Sequence, residues 1–195
     1  VTKETQAGHD AAGGLRGRKY TPYEGGVRMP FVARWPAKIK AGAESSEIIC
    51  LTDMVATAAA LTGQALGPKE GVDSINVLEA LTGAGKSTRS TLIVSRGNPK
   101  PEAIIAGDWK LVLGNGPKAP TPAALYNLKD DPAEAQDLAA AQPEIAKSLR
   151  NKLAAAVQAG FTRAGAERLR EGKGLAPGKA GAKAKKTPPA DETDY

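Results

Sequence analysis

An α+β fold, a small and mostly antiparallel sheet flanked by helices, is what this sequence predicts, and three observations predict it. Four short apolar runs, near residues 91–95, 103–106, 109–113 and 124–128, have the composition of strands. Two of them are joined only by Gly107-Asp108, a connection short enough to force antiparallel pairing. Pro143 then opens a stretch in which Ile145, Leu149, Leu153 and Val157 recur at helical spacing.

The bulk numbers set limits on that fold. The chain has 195 residues, 41% of them hydrophobic but only 4% aromatic, so much of the apolar count is alanine and the core is modest. The single cysteine, Cys50, excludes a disulfide framework and reads as a small buried residue rather than a nucleophile. No segment reaches the roughly 20 apolar residues of a membrane helix, and no signal peptide is visible. The chain opens on a polar run, Val1 to Gln6, without an initiator methionine. The net charge of +6 is uneven: residues 161–186 carry +6 and residues 187–195 carry −3, which leaves +3 for residues 1–160. The basic balance is therefore mainly a property of the tail.

Along the chain, residues 1–30 read as a polar, glycine-rich loop with little regular structure before Val27. Phe31 to Trp35, bracketed by Pro30 and Pro36, reads as a short strand, and Pro36 to Gly42 as a turn projecting two lysines. Thr52 offers an N-cap and Gly63 a stop for a helix whose buried stripe is Met54, Ala58 and Leu61, with Val55 beside it. Ile75 to Leu81 is partly helical and closed by Gly83. In the hairpin, Gly107 suits a type II′ turn, with Trp109, Leu111 and Leu113 on one face and Lys110 on the other. Asp131-Pro132-Ala133-Glu134 reads as a helix start with a capping box, and the last helix ends at Gly160. Residues 172–190, mostly Gly, Ala, Lys and Pro, are expected to be disordered.

Chemistry concentrates between Leu15 and Pro36. Lys19, on a glycine-containing loop, could close on a sulfate, phosphate or carboxylate as a compact point charge. Spacing alone leaves open that Arg16, Arg18, Lys19 and Arg28 form a solvated basic loop. The glycines of Glu24-Gly25-Gly26 allow positive φ or close backbone approach, and Glu24 reads as structural, paired with Arg28 or receiving loop amides. His9, the only histidine, stands beside Asp10 as a surface residue or a substrate contact. No Cys/His cluster, EF-hand loop or phosphate-binding glycine pattern is present.

The same stretch carries a resemblance. Leu15-Arg16-Gly17-Arg18-Lys19 through Glu24-Gly25-Gly26-Val27-Arg28-Met29-Pro30 to Trp35-Pro36 resembles the "LRGGKGTxxEGGxRVPxxxxWPG" segment of the formylglycine-dependent sulfatases, within the alkaline phosphatase-like superfamily. Further blocks follow in the family's order: Ile39 to Gly42; Thr52 to Thr57, with Ala56 where proline is usual; Gly71 to Leu78; Ala106-Gly107-Asp108-Trp109-Lys110-Leu111; and Leu125 to Glu134. Together they cover about residues 15–150.

The resemblance implies the C-terminal portion of a sulfatase, which hydrolyses sulfate esters, with a sulfated carbohydrate as the expected substrate. It implies that residues 1–50 are the end of an α/β catalytic domain and that 51–160 form a C-terminal helix and sheet subdomain; composition makes 161–195 a basic Gly/Ala/Lys/Pro-rich tail, expected to be disordered. Lys19 aligns with the family lysine that contacts the sulfate and stabilises the leaving group; where the family often has glycine next, this chain has Tyr20. Many relatives carry a histidine near the strand at 91–95, and Arg96 is the replacement candidate for that substrate contact. The family's formylglycine, made from a C/S-x-P-S-R motif, and its Ca²⁺ ligands belong to an N-terminal part, so the resemblance implies no metal ligand in this chain and an inactive isolated polypeptide. Its expected partners are the N-terminal sulfatase domain and a sulfated small molecule or carbohydrate, with no membrane or nucleic acid. The implied location is periplasmic or secreted. The alternative is a non-catalytic module, a degenerate sulfatase half binding acidic polysaccharide through its basic tail.

Overall fold

The computed structural model describes residues 7–95, 101–114 and 122–169. Its elements run α1 (Glu24–Val27), a 3₁₀ turn (Leu51–Asp53), α2 (Met54–Leu61), α3 (Leu78–Thr82), β1 (Leu92–Val94), β2 (Ala103–Ala106), β3 (Trp109–Val112), β4 (Ala124–Asn127) and α4 (Pro143–Ala159). The four strands form one antiparallel meander in the order β1-β2-β3-β4. The α+β class read from the sequence is the class observed. At the β2–β3 turn Gly107 takes φ 57° while Asp108 is not in the positive region, the pattern a II′ turn requires.

Alternation along the strands divides the sheet into two faces. Ile104, Leu111 and Leu125 pack with Leu149 and Leu153 of α4, with Ile93, Trp109, Leu113 and Ile145 around them. The stripe predicted after Pro143 is therefore the buried face of α4, except that Val157 is exposed. The helix starts with proline in its first turn and stops at Gly160, whose φ of 77° supplies the left-handed stop. The opposite face presents Val94, Ala103, Val112 and Tyr126, and Tyr23 and Val27 pack on it. One face is thus covered by a helix and the other by the segment that leads into and includes α1.

Several local expectations are corrected. Phe31 to Trp35 is not a strand: Val32 is 93% exposed, no ladder pairs with the segment among the described residues, and the prolines at either end remove donors. The first longer helix buries Ala56 and Thr57 rather than Met54, Ala58 and Leu61, and both Val55 and Leu61 are exposed. Thr52 does not cap it; Asp53 reaches back instead, its carboxylate accepting the Cys50 amide at 2.9 Å. No helix begins at Asp131. Its carboxylate accepts amides from Ala135 and Gln136, and Glu134 takes φ 56°, a backbone that cannot propagate a helix. Cys50 is half-buried and free. Residues 161–169, which sequence composition groups with the tail, fold back: Ala166 is buried, and the Arg163 guanidinium donates to the Gly67 carbonyl at 2.7 Å. Residues 170–195 lie outside the described residues.

The helical half is pinned by a buried ion pair. The Arg89 and Asp53 side chains are 3% and 0% exposed and meet through two hydrogen bonds, Nε to Oδ2 at 2.9 Å and Nη2 to Oδ1. Arg89 also donates to the carbonyls of Asp73 and Thr91, and Asp53 accepts the Ile75 amide. One ion pair thereby joins the start of α2, the loop before α3 and the entry to β1. Burial pushes the Asp53 carboxyl up, but Arg89 and the amides of Ile75 and Cys50 outweigh it, and the net displacement is below the ordinary 3.8. A carboxylate with a depressed folded value contributes stability above its unfolded value and loses it as pH falls through the folded one. Asp53→Ala is expected to cost about 3–5 kcal/mol in equilibrium urea unfolding at neutral pH, because Arg89 is left buried without its anion. The same variant should lack part of the wild-type loss of stability below the ordinary carboxyl value of 3.8; an unchanged acid profile would remove Asp53 as its source.

Candidate functional site

The candidate site begins with a tight turn. Thr21 N donates to the Arg18 carbonyl at 2.9 Å, and the Thr21 hydroxyl bonds the same carbonyl at 2.7 Å and receives the Arg18 amide at 3.0 Å. Lys19 and Tyr20 are the two central residues of this turn. Tyr20 has φ 69° and Lys19 does not have positive φ, the arrangement of a type II turn, whose second central position favours glycine. Tyrosine therefore stands where backbone geometry asks for glycine. Lys19 is exposed, with its Nζ 4.9 Å from the centre of the Tyr20 ring.

The two glycines before Val27 are there for close approach rather than positive φ. The Gly25 amide donates to the Arg16 carbonyl at 2.7 Å, and a Cβ on Gly25 would lie 2.7 to 2.9 Å from the carbonyl oxygens of Arg16, Gly17 and Leu15. A Cβ on Gly26 would collide with the carbonyls of Thr21 and Arg18. The Lys19 turn is laid directly on α1, and no other residue type permits it.

Beneath α1 lies a charge cluster that sequence reasoning did not assemble. Lys110, in the middle of β3, is 0% exposed. Its Nζ donates to Glu24 Oε1 at 2.8 Å and lies 2.9 Å from Glu134 Oε1, an ionic contact rather than an aligned hydrogen bond. Glu134 Oε2 accepts the backbone amide of Glu24 at 2.6 Å. Arg28 approaches the other Glu24 oxygen at 3.6 Å from the rim. Upstream, Arg16 Nη1 donates to the Tyr126 hydroxyl at 2.7 Å and to the Glu134 carbonyl at 3.0 Å, and its guanidinium stacks 4.1 Å from the Tyr23 ring centre. Burial pushes the Tyr126 phenol up, against the pull of Arg16. The structural role read for Glu24 is the one observed, with Lys110 as a partner the sequence did not name. The signal available was Lys110 itself, a cation at the centre of an otherwise apolar strand.

The other candidates do not join this cluster. His9 sits in an exposed turn where the Asp10 carboxylate accepts the amides of Ala12 and Gly14, which hold that carboxyl low. Arg96 lies outside the described residues. A cleft of about 1060 Å³ beside α1, lined by Val27, Arg28, Phe31, Ile48 and Ile105 among others, does not include Lys19. Among the described residues no group of three or more His, Cys, Asp or Glu side chains is placed to hold a metal ion. Glu24 and Glu134, which do converge, are committed to Lys110. Cys50 contacts the Thr52 hydroxyl and stands outside any C/S-x-P-S-R sequence. The described residues therefore fit neither Ca²⁺ nor formylglycine.

No family model matches the chain. An N-acetylgalactosamine-6-O-sulfatase from Bacteroides thetaiotaomicron is 33% identical over 161 residues, covering 75% of this chain and 30% of the relative. Human arylsulfatase A is 32% identical, covering 71% of this chain and 32% of the relative. A solved Bacteroides thetaiotaomicron structure, described with the metabolism of multiple glycosaminoglycans, superposes with a TM-score of 0.69 at 30% identity over 80% of this chain and 34% of its own. The PsFucS1 sulfatase from Pseudoalteromonas sp. gives 0.58 at 25% identity, over 76% of this chain and 34% of its own. The relatives are sulfatases, sulfuric ester hydrolases. The chain is homologous to their C-terminal part and spans about a third of the length of the curated relatives it matches.

Gly25→Ala should detach the Lys19 turn at a cost of about 1–3 kcal/mol, the range of overpacking. Limited proteolysis should then cut between Leu15 and Tyr23 faster than in the wild type while the far-UV circular dichroism is unchanged; equal cleavage rates would show that the three carbonyls can give way.

Proposed function

We propose that this chain forms the C-terminal part of a sulfatase and contributes Lys19 to the hydrolysis of a sulfate ester. The observation that carries the reading is an exposed ammonium at the tip of a turn fastened to the sheet, in a chain homologous to sulfatases. A lysine is a compact, strongly hydrated point charge. Set against the bridging oxygen of a sulfate ester, it stabilises negative charge as the alcohol departs, which lowers the barrier only if its position is held beforehand.

The substrate is a sulfated carbohydrate in this reading, supported by the name of the Bacteroides relative. His9 and Arg96 are secondary substrate contacts. Formylglycine and Ca²⁺ supply the nucleophile and the clamp on sulfate oxygens in the chemistry the resemblance implies, and both come from an N-terminal domain of the same protein. Relatives of which this chain covers about a third support that division. So does the exposed apolar run of Met29, Phe31 and Val32, a surface for that domain to cover. The location is periplasmic or secreted by the same resemblance; among the described residues no helix is long and apolar enough to cross a membrane.

In the sulfatase containing this chain, Lys19→Ala should lower kcat toward a small aryl sulfate about 10²–10³-fold, the size of losing one preorganised donor, with a smaller change in KM. Wild-type turnover in that variant would remove Lys19 from the site. The chain alone should not hydrolyse the same ester, and measurable release of the phenol by it would overturn the division of labour.

A further inference from the structure

We propose that Glu24, Lys110 and Glu134 are positioning residues for Lys19, a buried ion triad that fastens the 15–28 segment to the sheet and fixes the reach of its ammonium. The inference rests on the reading of Lys19 as a sulfate contact.

Lys110 itself cannot meet a substrate. Its side chain is 0% exposed, and its Nζ is taken by two carboxylates at 2.8 and 2.9 Å. An apolar side chain in the middle of β3 would serve packing as well or better, since a buried ion pair seldom outweighs its own desolvation. What the ammonium supplies is a single acceptable arrangement. Glu24 must lie over β3, and Glu134 must reach from the turn after β4 to share the charge and hold the Glu24 amide at 2.6 Å. Any slippage of α1 leaves a buried charge unanswered.

Lys19 lies between two such attachments. Three residues before it, Arg16 is held by the Tyr126 hydroxyl and the Glu134 carbonyl. Five residues after it, Glu24 is held by Lys110 and by Glu134 Oε2. The two ends are closed on one another by the Gly25 amide on the Arg16 carbonyl. Lys110 and Arg28 answer the two carboxylates of Glu24 and Glu134, so neither anion is left to draw Lys19 away from a substrate.

Hydrogen exchange on the full chain tests the attachment. Glu24→Gln keeps the shape and leaves Lys110 paired with Glu134, so the sheet stays folded. The amides of Thr21, Gly25 and Arg28 should exchange about tenfold faster or more, the scale of one charge-assisted hydrogen bond, while β2 and β3 amides keep their rates. Unchanged protection in the loop would overturn the proposal. If Glu24→Gln does not fold, Tyr126→Phe makes the same test at the Arg16 end while keeping the ring. In the sulfatase containing this chain, Glu24→Gln should lower kcat about tenfold with little change in KM, and that effect should vanish in a Lys19→Ala background. An equal loss in both backgrounds overturns positioning while leaving Lys19 in the site. No effect of Lys19→Ala alone fails the sulfate-contact reading, and with it the positioning role, although exchange would still report the tether.

Discussion

An ammonium group sealed inside a sheet face has to be answered by anions within hydrogen-bonding distance, and the arrangement of this molecule follows from how Lys110 is answered. Leaving it alone would cost several kcal/mol, more than most single contacts contribute. The two glutamates that meet it come from either side of β3 in the sequence, one on α1 and one on a turn after β4. Each has a second duty. Glu24 starts the short helix that carries Gly25 and Gly26 under the Lys19 turn, and Glu134 grips the backbone of Glu24. The segment that looks like a decorated loop in the sequence is in fact one wall of the sheet's core, with Tyr23 and Val27 lying on Val94, Ala103, Val112 and Tyr126.

The two faces of the sheet are covered by unlike means. On one, α4 buries Leu149 and Leu153 against Ile104, Leu111 and Leu125, a contact made by area alone and tolerant of small shifts. On the other, cover comes from a segment with little regular structure, and area alone would not give it a unique position. Ionic and hydrogen-bonded contacts take over there: Lys110 with its carboxylates, and Arg16 stacked on Tyr23 and bonded to Tyr126. The side that is proposed to meet the substrate is the side whose geometry is set by directional forces.

The strands and the last helix were legible because their signals are local. Period-two runs around Gly107, and an apolar stripe between Pro143 and Gly160, need no knowledge of distant residues. The failures share a cause. Asp131-Pro132-Ala133-Glu134 has every local mark of a helix start, yet Glu134 is drawn away by a lysine in β3 and adopts a left-handed backbone. Phe31 to Trp35 has strand composition but no neighbour to pair with among the described residues. Met54 and Leu61 are spaced for burial, but the face that turns inward is chosen by Asp53, which must reach Arg89. The resemblance singles out Lys19, which lies on an exposed turn, whereas the residues that hold that turn are united only in three dimensions.

Those pairings also have an order in time. The contacts that seat the Lys19 segment span 86 residues between Glu24 and Lys110, 110 between Glu24 and Glu134, and 118 between Arg16 and Glu134. The segment is made before the sheet, but the last anion it needs is made only after all four strands. Contacts of such separation are slow to close, while the β2–β3 hairpin and α4 rely on near neighbours and form first. The wall bearing Lys19 is therefore completed only once Glu134 has been made, and a ribosome paused before Glu134 would carry a sheet whose lysine has Glu24 alone to answer it.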